Sequence, residues 1–167
     1  MNDQRGLILV ELIAVIVLIG IIASFTGFFL YTGINGHLKT KAATEGSLNA
    51  QMALDRITLE LRNISKIEGT PSSTSITYKN EELTGTRTLS FSYAGNQVLL
   101  RVVVDPPDYP LLEDVSTFSL SYSYLNLDDD AAPTQEVAHI GVEFTLGDLG
   151  KTFKTKIFPR NMVQKTW

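Results

Sequence analysis

The sequence predicts an α+β protein in which a long N-terminal helix, membrane-spanning in its first half and amphipathic in its second, is laid against an antiparallel β-sheet head. Three observations predict it. From Leu7 to Tyr31 the chain is apolar with Glu11 as its only formal charge. From Ala50 to Ile64 apolar residues return every three or four positions, the period of a helix face. Beyond Gly69 apolar and polar residues alternate, the period of a strand. The 167 residues are 44% hydrophobic but only 19% charged, against roughly a quarter in an average soluble domain, so apolar sequence is concentrated in one place. The length suits one domain, or a small domain with an appendage.

Residues 1–6, MNDQRG, are a short polar start with a single basic residue, Arg5. Residues 7–31 follow as the spanning segment: 25 residues rising about 1.5 Å each give about 37 Å, enough for a hydrocarbon core of roughly 30 Å. A secretory signal peptide has a shorter apolar run, a more basic start and an Ala-x-Ala-like cleavage site, whereas Ile22-Ala23-Ser24 is a poor one. A buried core helix fails too, because so small a domain cannot surround a helix that is apolar all round. Charge does not fix the orientation: Arg5 lies before the span, while His37, Lys39 and Lys41 follow it.

Glu11 is costly in this setting. A carboxylate at the bilayer centre costs about 2.5–3.5 kcal/mol on insertion scales. Here it stands only about 6–8 Å along the helix, where the interface and the positive end of the macrodipole lower that cost. It is the fifth residue after Gly6, which closes the polar start.

The stretch Gly6-Leu7-Ile8-Leu9-Val10-Glu11-Leu12 resembles the start of the type IV pilin-like proteins, the pilins of type IV pili and the pseudopilins of type II secretion. Their precursors usually read Gly-Phe-Thr-Leu-Ile-Glu-Leu. Leu7 and Ile8 replace the usual Phe and Thr, leaving the spacing of Gly and Glu intact. The resemblance implies that residues 1–6 are a prepilin leader, that a prepilin peptidase cuts between Gly6 and Leu7 on the cytoplasmic face, and that Leu7 is then N-methylated. It implies a single-pass inner-membrane protein with a cytoplasmic N-terminus and a periplasmic head, later part of a pilus or pseudopilus. In assembly, Glu11 would neutralise the ammonium at Leu7 of an adjacent subunit, and an unpaired Glu11 would penalise wrong registers. Gly20 matches a glycine frequent in this family's helix, whereas the proline common in major pilins is missing near Phe28, which argues against a main-shaft role.

Residues 32–68 read as the helix continued. Gly33 and Gly36 offer a flexible joint just outside the membrane. Ala50, Leu54, Ile57, Leu61 and Ile64 then form one apolar face. Arg56 and Glu60, one turn apart, are expected on the other side, a pairing worth about 0.2–0.5 kcal/mol. The stop is expected near Gly69, with Pro71 beyond. A helix from Leu7 to Glu68 would run about 93 Å, longer than a compact domain needs and suited to a fibre.

Residues 69–167 read as the β-rich head. Leu89, Phe91 and Tyr93 alternate with serines, Ala94-Gly95-Asn96 signals a turn, and Val98, Leu100, Val102 and Val104 resume, which makes a hairpin. Phe118 to Tyr124, Ile140 to Leu146, and Phe153 to Ile157 add three strands, and a weaker run surrounds Ile76 and Tyr78. About six antiparallel strands result, with an apolar face that the helix stripe covers. The segments Leu54-Asp55-Arg56-Ile57, Leu61-Arg62-Asn63 and Pro159-Arg160-Asn161 resemble minor pseudopilins of the J type and related minor pilins.

Chemistry is thinly represented. The absence of cysteine excludes disulfide staples, thiolate metal sites and cysteine nucleophiles. A net charge of −4 argues against a general nucleic-acid binder. His37 and His139 belong to no ligand-spaced or triad-like motif, and no phosphate loop is present. Asp128-Asp129-Asp130 offers oxygens to calcium but lacks the spacing of a known calcium loop, so a solvated acidic loop is the plainer reading. No cofactor, metal or catalysis is therefore expected.

Charge is segregated along the head. Asp105 to Asp148 holds ten acidic residues and no Lys or Arg, and Leu149 to Trp167 five basic residues and no acidic ones. Opposed patches of that kind would steer pairing with neighbouring subunits. The expected function is thus a minor pilin-like subunit, partnered by the prepilin peptidase and by other pilin-like subunits in a tip or initiation complex. The alternatives are a membrane-tethered β-rich binding module that never polymerises and, behind it, a tethered enzyme.

Overall fold

The computed structural model describes residues 3–81, 83–102, 105–127, 135–161 and 163–165, the side chains of residues 3–8 and 105–107 excepted. One helix, α1 (Asp3–Arg62), is followed by eight strands: β1 (Ile64–Ile67), β2 (Ser75–Asn80), β3 (Thr86–Ser92), β4 (Gln97–Val102), β5 (Asp105–Leu112), β6 (Val115–Leu125), β7 (Glu136–Leu146) and β8 (Lys151–Ile157). The predicted α+β class holds. The chain divides into two units, Met1–Thr44 and Glu45–Trp167. That division falls after Thr44, whereas Gly33 and Gly36 lie inside α1 without interrupting it.

In the first unit the large apolar side chains from Leu9 to Tyr31 are 47–73% exposed. Two hydroxyls in this stretch are satisfied within the helix: Ser24 Oγ donates to the Gly20 carbonyl at 2.8 Å and Thr26 Oγ1 to that of Ile22 at 2.9 Å. Hydrocarbon offers no other partner, so such back-bonding suits a span. This one helix is long and apolar enough to cross a membrane, and none of its most apolar window is buried.

The second unit holds the core. Its strands form two antiparallel meanders, a five-stranded sheet in the order β1-β2-β3-β4-β5 and a three-stranded sheet in the order β6-β7-β8. Period-two patterning sets which face turns inward: Leu89 and Phe91 of β3, Ile140, Val142, Phe144 and Leu146 of β7 and Val98 of β4 are buried between exposed or half-buried neighbours. Ala50, Ala53, Leu54, Ile57 and Leu61 of α1 join the same cluster. Each large side chain so buried contributes about 1.5–3 kcal/mol. Backbone bonds connect the sheets, Leu120 N to Ser73 O at 2.7 Å and Val115 N to Asn96 O at 2.8 Å.

Three expectations need correction. The helix ends at Arg62, not near Gly69, and residues 64–67 form β1. Ile64 is fully buried, as its place in the stripe required, but from a strand. The last helical carbonyls find partners without a glycine cap: Glu60 O accepts from Asn80 Nδ2 at 3.3 Å, and Arg62 O from the Arg160 amide at 2.8 Å. Gly69, at φ +71°, turns the chain between β1 and β2 instead. Among the described residues the strands number eight in two sheets rather than about six in one, because β1 reads as helix and β5, with Pro106, Pro107 and Pro110, reads as loop. Glu60, expected on the solvent side, is only 2% exposed.

Candidate functional site

Gly6 and Leu7, where the resemblance puts cleavage and N-methylation, lie within α1, and nothing beyond their helical backbone is described. Glu11 lies one turn further along and is exposed. It has no hydrogen bond or ion pair among the described residues.

The head-unit part of α1 carries a second apolar face. Leu48, Met52 and Leu59 are 58%, 62% and 59% exposed. At about 100° per residue they fall within about 40° of one another, on the side opposite the fully buried Ile57. Asp55 interrupts the stripe and receives Gln51 Nε2 at 3.4 Å. Solvent-side positions of a surface helix are ordinarily polar. Three large apolar groups in line there leave a face that another apolar surface can cover. The same 3.6-residue period that reveals the buried face contains this one half a turn away, so the signal was present in the sequence without being read.

On the other flank of α1, Glu60 is held by three elements. Its Oε1 lies 2.7 Å from Arg56 Nη2 and accepts from Arg87 Nη1 of β3 at 3.1 Å, and its Oε2 accepts from the Tyr78 hydroxyl of β2 at 3.1 Å. Burial, reinforced by the Glu60 charge, pushes the Tyr78 phenol far above its usual range, so it remains a donor. Such a cluster fixes α1 on the five-stranded sheet. The Glu60 carboxylate is thus taken up by internal partners, while Arg87 Nε is buried without one.

The outer face of the three-stranded sheet is polar. Ser119 and Ser121 of β6, Gly141 and Glu143 of β7, and Lys154 and Lys156 of β8 line a cleft of about 430 Å³. His139 stands against the Phe158 ring with centroids 5.7 Å apart, and His37 lies exposed in α1. Among the described residues no three His, Asp or Glu side chains cluster as metal ligands do. Asp128, Asp129 and Asp130 lie outside the described residues. Comparison with family models, with curated proteins and with solved structures gives no match to this chain.

Proposed function

We propose that the protein is a minor pilin-like structural subunit, resembling a J-type pseudopilin, that is built into the tip or initiation complex of a type II secretion pseudopilus or a type IV pilus. The observation that carries this reading is the exposed stripe Leu48, Met52 and Leu59 in the head unit. A simple membrane anchor needs an apolar surface only within the bilayer. A subunit that packs its helix beside others needs one beyond it, and burying three such side chains would contribute several kcal/mol, at about 1.5–3 kcal/mol each.

On this reading the precursor inserts in the inner membrane with its N-terminus in the cytoplasm and its head in the periplasm. Prepilin peptidase cleaves between Gly6 and Leu7 and N-methylates Leu7. The Glu11 carboxylate then meets the ammonium at Leu7 of a neighbouring subunit. In a low-dielectric surrounding the two charges are tolerated only together, so the pair sets the axial register. No catalytic step is assigned to the protein, whose work is packing and recognition.

Intact-mass and N-terminal peptide mass spectrometry of the protein, expressed with and without a prepilin peptidase, tests the reading. The expected product begins at Leu7 and carries one added methyl group. An uncut Met1 terminus in the presence of active peptidase would sink the proposal and leave the tethered binding module as the better account.

A further inference from the structure

The two sheets have four edges, and three of them are guarded. At one end of the larger sheet, β1 is four residues long, is bulged between Ile64 and Lys66, and has its Ile64 carbonyl taken by Asn161 Nδ2 at 3.1 Å. At the other end, β5 contains Pro106, Pro107 and Pro110, which have no N–H to offer. The outer edge of β6 is occupied by the chain before β2, through Leu120 N to Ser73 O and the Tyr122 hydroxyl to Ser72 O at 3.0 Å. The fourth edge is β8, seven residues without proline. Among the described residues it has backbone partners only in β7.

The side chains of β8 say what fits there. Lys154 and Lys156 face outward over the cleft, and neither has an ion pair among the described residues. The carboxylate nearest in register is Glu143, opposite Lys154 on β7, and no ion pair joins the two. Opposite Lys156 stands Gly141, where a Cβ would collide with Ser121 Oγ. The central strand therefore lacks a side chain there, and the lysines border open space. On the inner side Phe153 is half-buried and stacks on Phe144 with centroids 5.6 Å apart. Pairing β8 with the β8 of a second copy would bring lysines against lysines, which disfavours self-association.

We infer that β8 is a docking edge for an extended segment of another protein, added as a fourth strand to the β6-β7-β8 sheet, with alternate residues acidic over Lys154 and Lys156 and apolar beside Phe153. Main-chain hydrogen bonds supply affinity and the alternating side chains supply specificity. This inference rests on the head unit alone and stands or falls separately from the pilin-like reading.

The test uses the full chain in dodecyl maltoside micelles and a fluorescein-labelled eight-residue peptide of alternating Asp and Val. Three comparisons accompany it: the same peptide with every backbone amide N-methylated, a Lys/Val peptide, and the Lys154→Glu/Lys156→Glu protein. Saturable binding by fluorescence anisotropy is expected, weakened by roughly tenfold or more in each comparison. Hydrogen exchange at residues 151–157 is expected to slow by roughly tenfold or more on binding. Equal binding of the N-methylated peptide would overturn the inference, since charge without strand addition would then suffice. Absence of binding up to millimolar peptide, or binding without slowed exchange in β8, would overturn it as well.

Discussion

Glu60 shows how a single carboxylate can be costly and necessary together. It is 2% exposed, shares its charge with Arg56 and Arg87, and takes a proton donor from Tyr78. Removing one partner of a buried pair leaves the other uncompensated, at about 3–5 kcal/mol. Glu60→Ala is therefore expected to destabilise the head by about that amount in denaturant unfolding, and Glu60→Met combined with Arg87→Met to recover most of it. Glu60→Met alone should not recover it, because Arg87 would remain buried without its counter-charge; full recovery in that single variant would mean that Glu60 acts only by filling space. The exposed pairs behave differently. The Arg101 guanidinium donates to Asp108 through Nε at 2.5 Å and Nη2 at 2.7 Å and holds that carboxyl below its usual value. Lys79 and Lys66 do the same to Glu68. A depressed native value means that the stabilisation is fully present above the ordinary carboxylate range and is lost as pH falls through the native value. In an NMR titration the Asp108 carboxyl should titrate below the ordinary aspartate range, and Arg101→Gln should raise its midpoint. An unchanged midpoint would mean that the pair does not persist in solution.

The end of α1 marks how far local sequence reading reaches at the level of elements. Periodicity found the buried face correctly because burial at Ala50, Leu54, Ile57 and Leu61 follows the helical repeat itself. It then ran on to Gly69, because Ile64 continues the same spacing and no glycine or proline intervenes. The true stop depends on bonds from distant sequence: Asn80, Arg160 and Glu81 cap Glu60, Arg62 and Asn63. No short window contains them. The closing Pro159-Arg160-Asn161 thereby gains a role that its brevity concealed. Strands β3, β4 and β6 to β8 were legible because one face of each is buried, whereas β5 was hidden by prolines that an edge strand tolerates. A substitution separates the two accounts of Gly69. Gly69→Ala should cost about 1 kcal/mol, since its φ of +71° disfavours a Cβ, and should leave the helical signal in far-ultraviolet circular dichroism unchanged. A gain in helix would return the stop to Gly69.

At the scale of the molecule, the short polar start, the Gly6 to Glu11 spacing and the uncharged span were all visible in the sequence, while the stripe on the outer side of α1 emerged only once the inner side had been assigned by packing. On the proposed reading, the Gly6 to Glu11 spacing and the stripe are what would separate a subunit from an anchored module. An anchor is indifferent to the identity of its span and to the solvent face of its helix, whereas a subunit depends on both. Two altered proteins make the distinction measurable by co-purification with partner pilin-like subunits. In the first, residues 12–31 are replaced by an unrelated leucine-rich span, keeping Gly6, Leu7 and Glu11. In the second, Leu48, Met52 and Leu59 become serine. These three side chains are more than half exposed, so head stability should change by no more than about 0.5 kcal/mol per site. Both proteins should insert in the membrane, and both should lose partner recovery by roughly tenfold or more. If both kept their partners at the original level, recognition would reside in the β-sheets alone and helix packing would be an idle feature of the chain. If only the serine protein lost them, the contact would lie outside the bilayer, on the stripe itself.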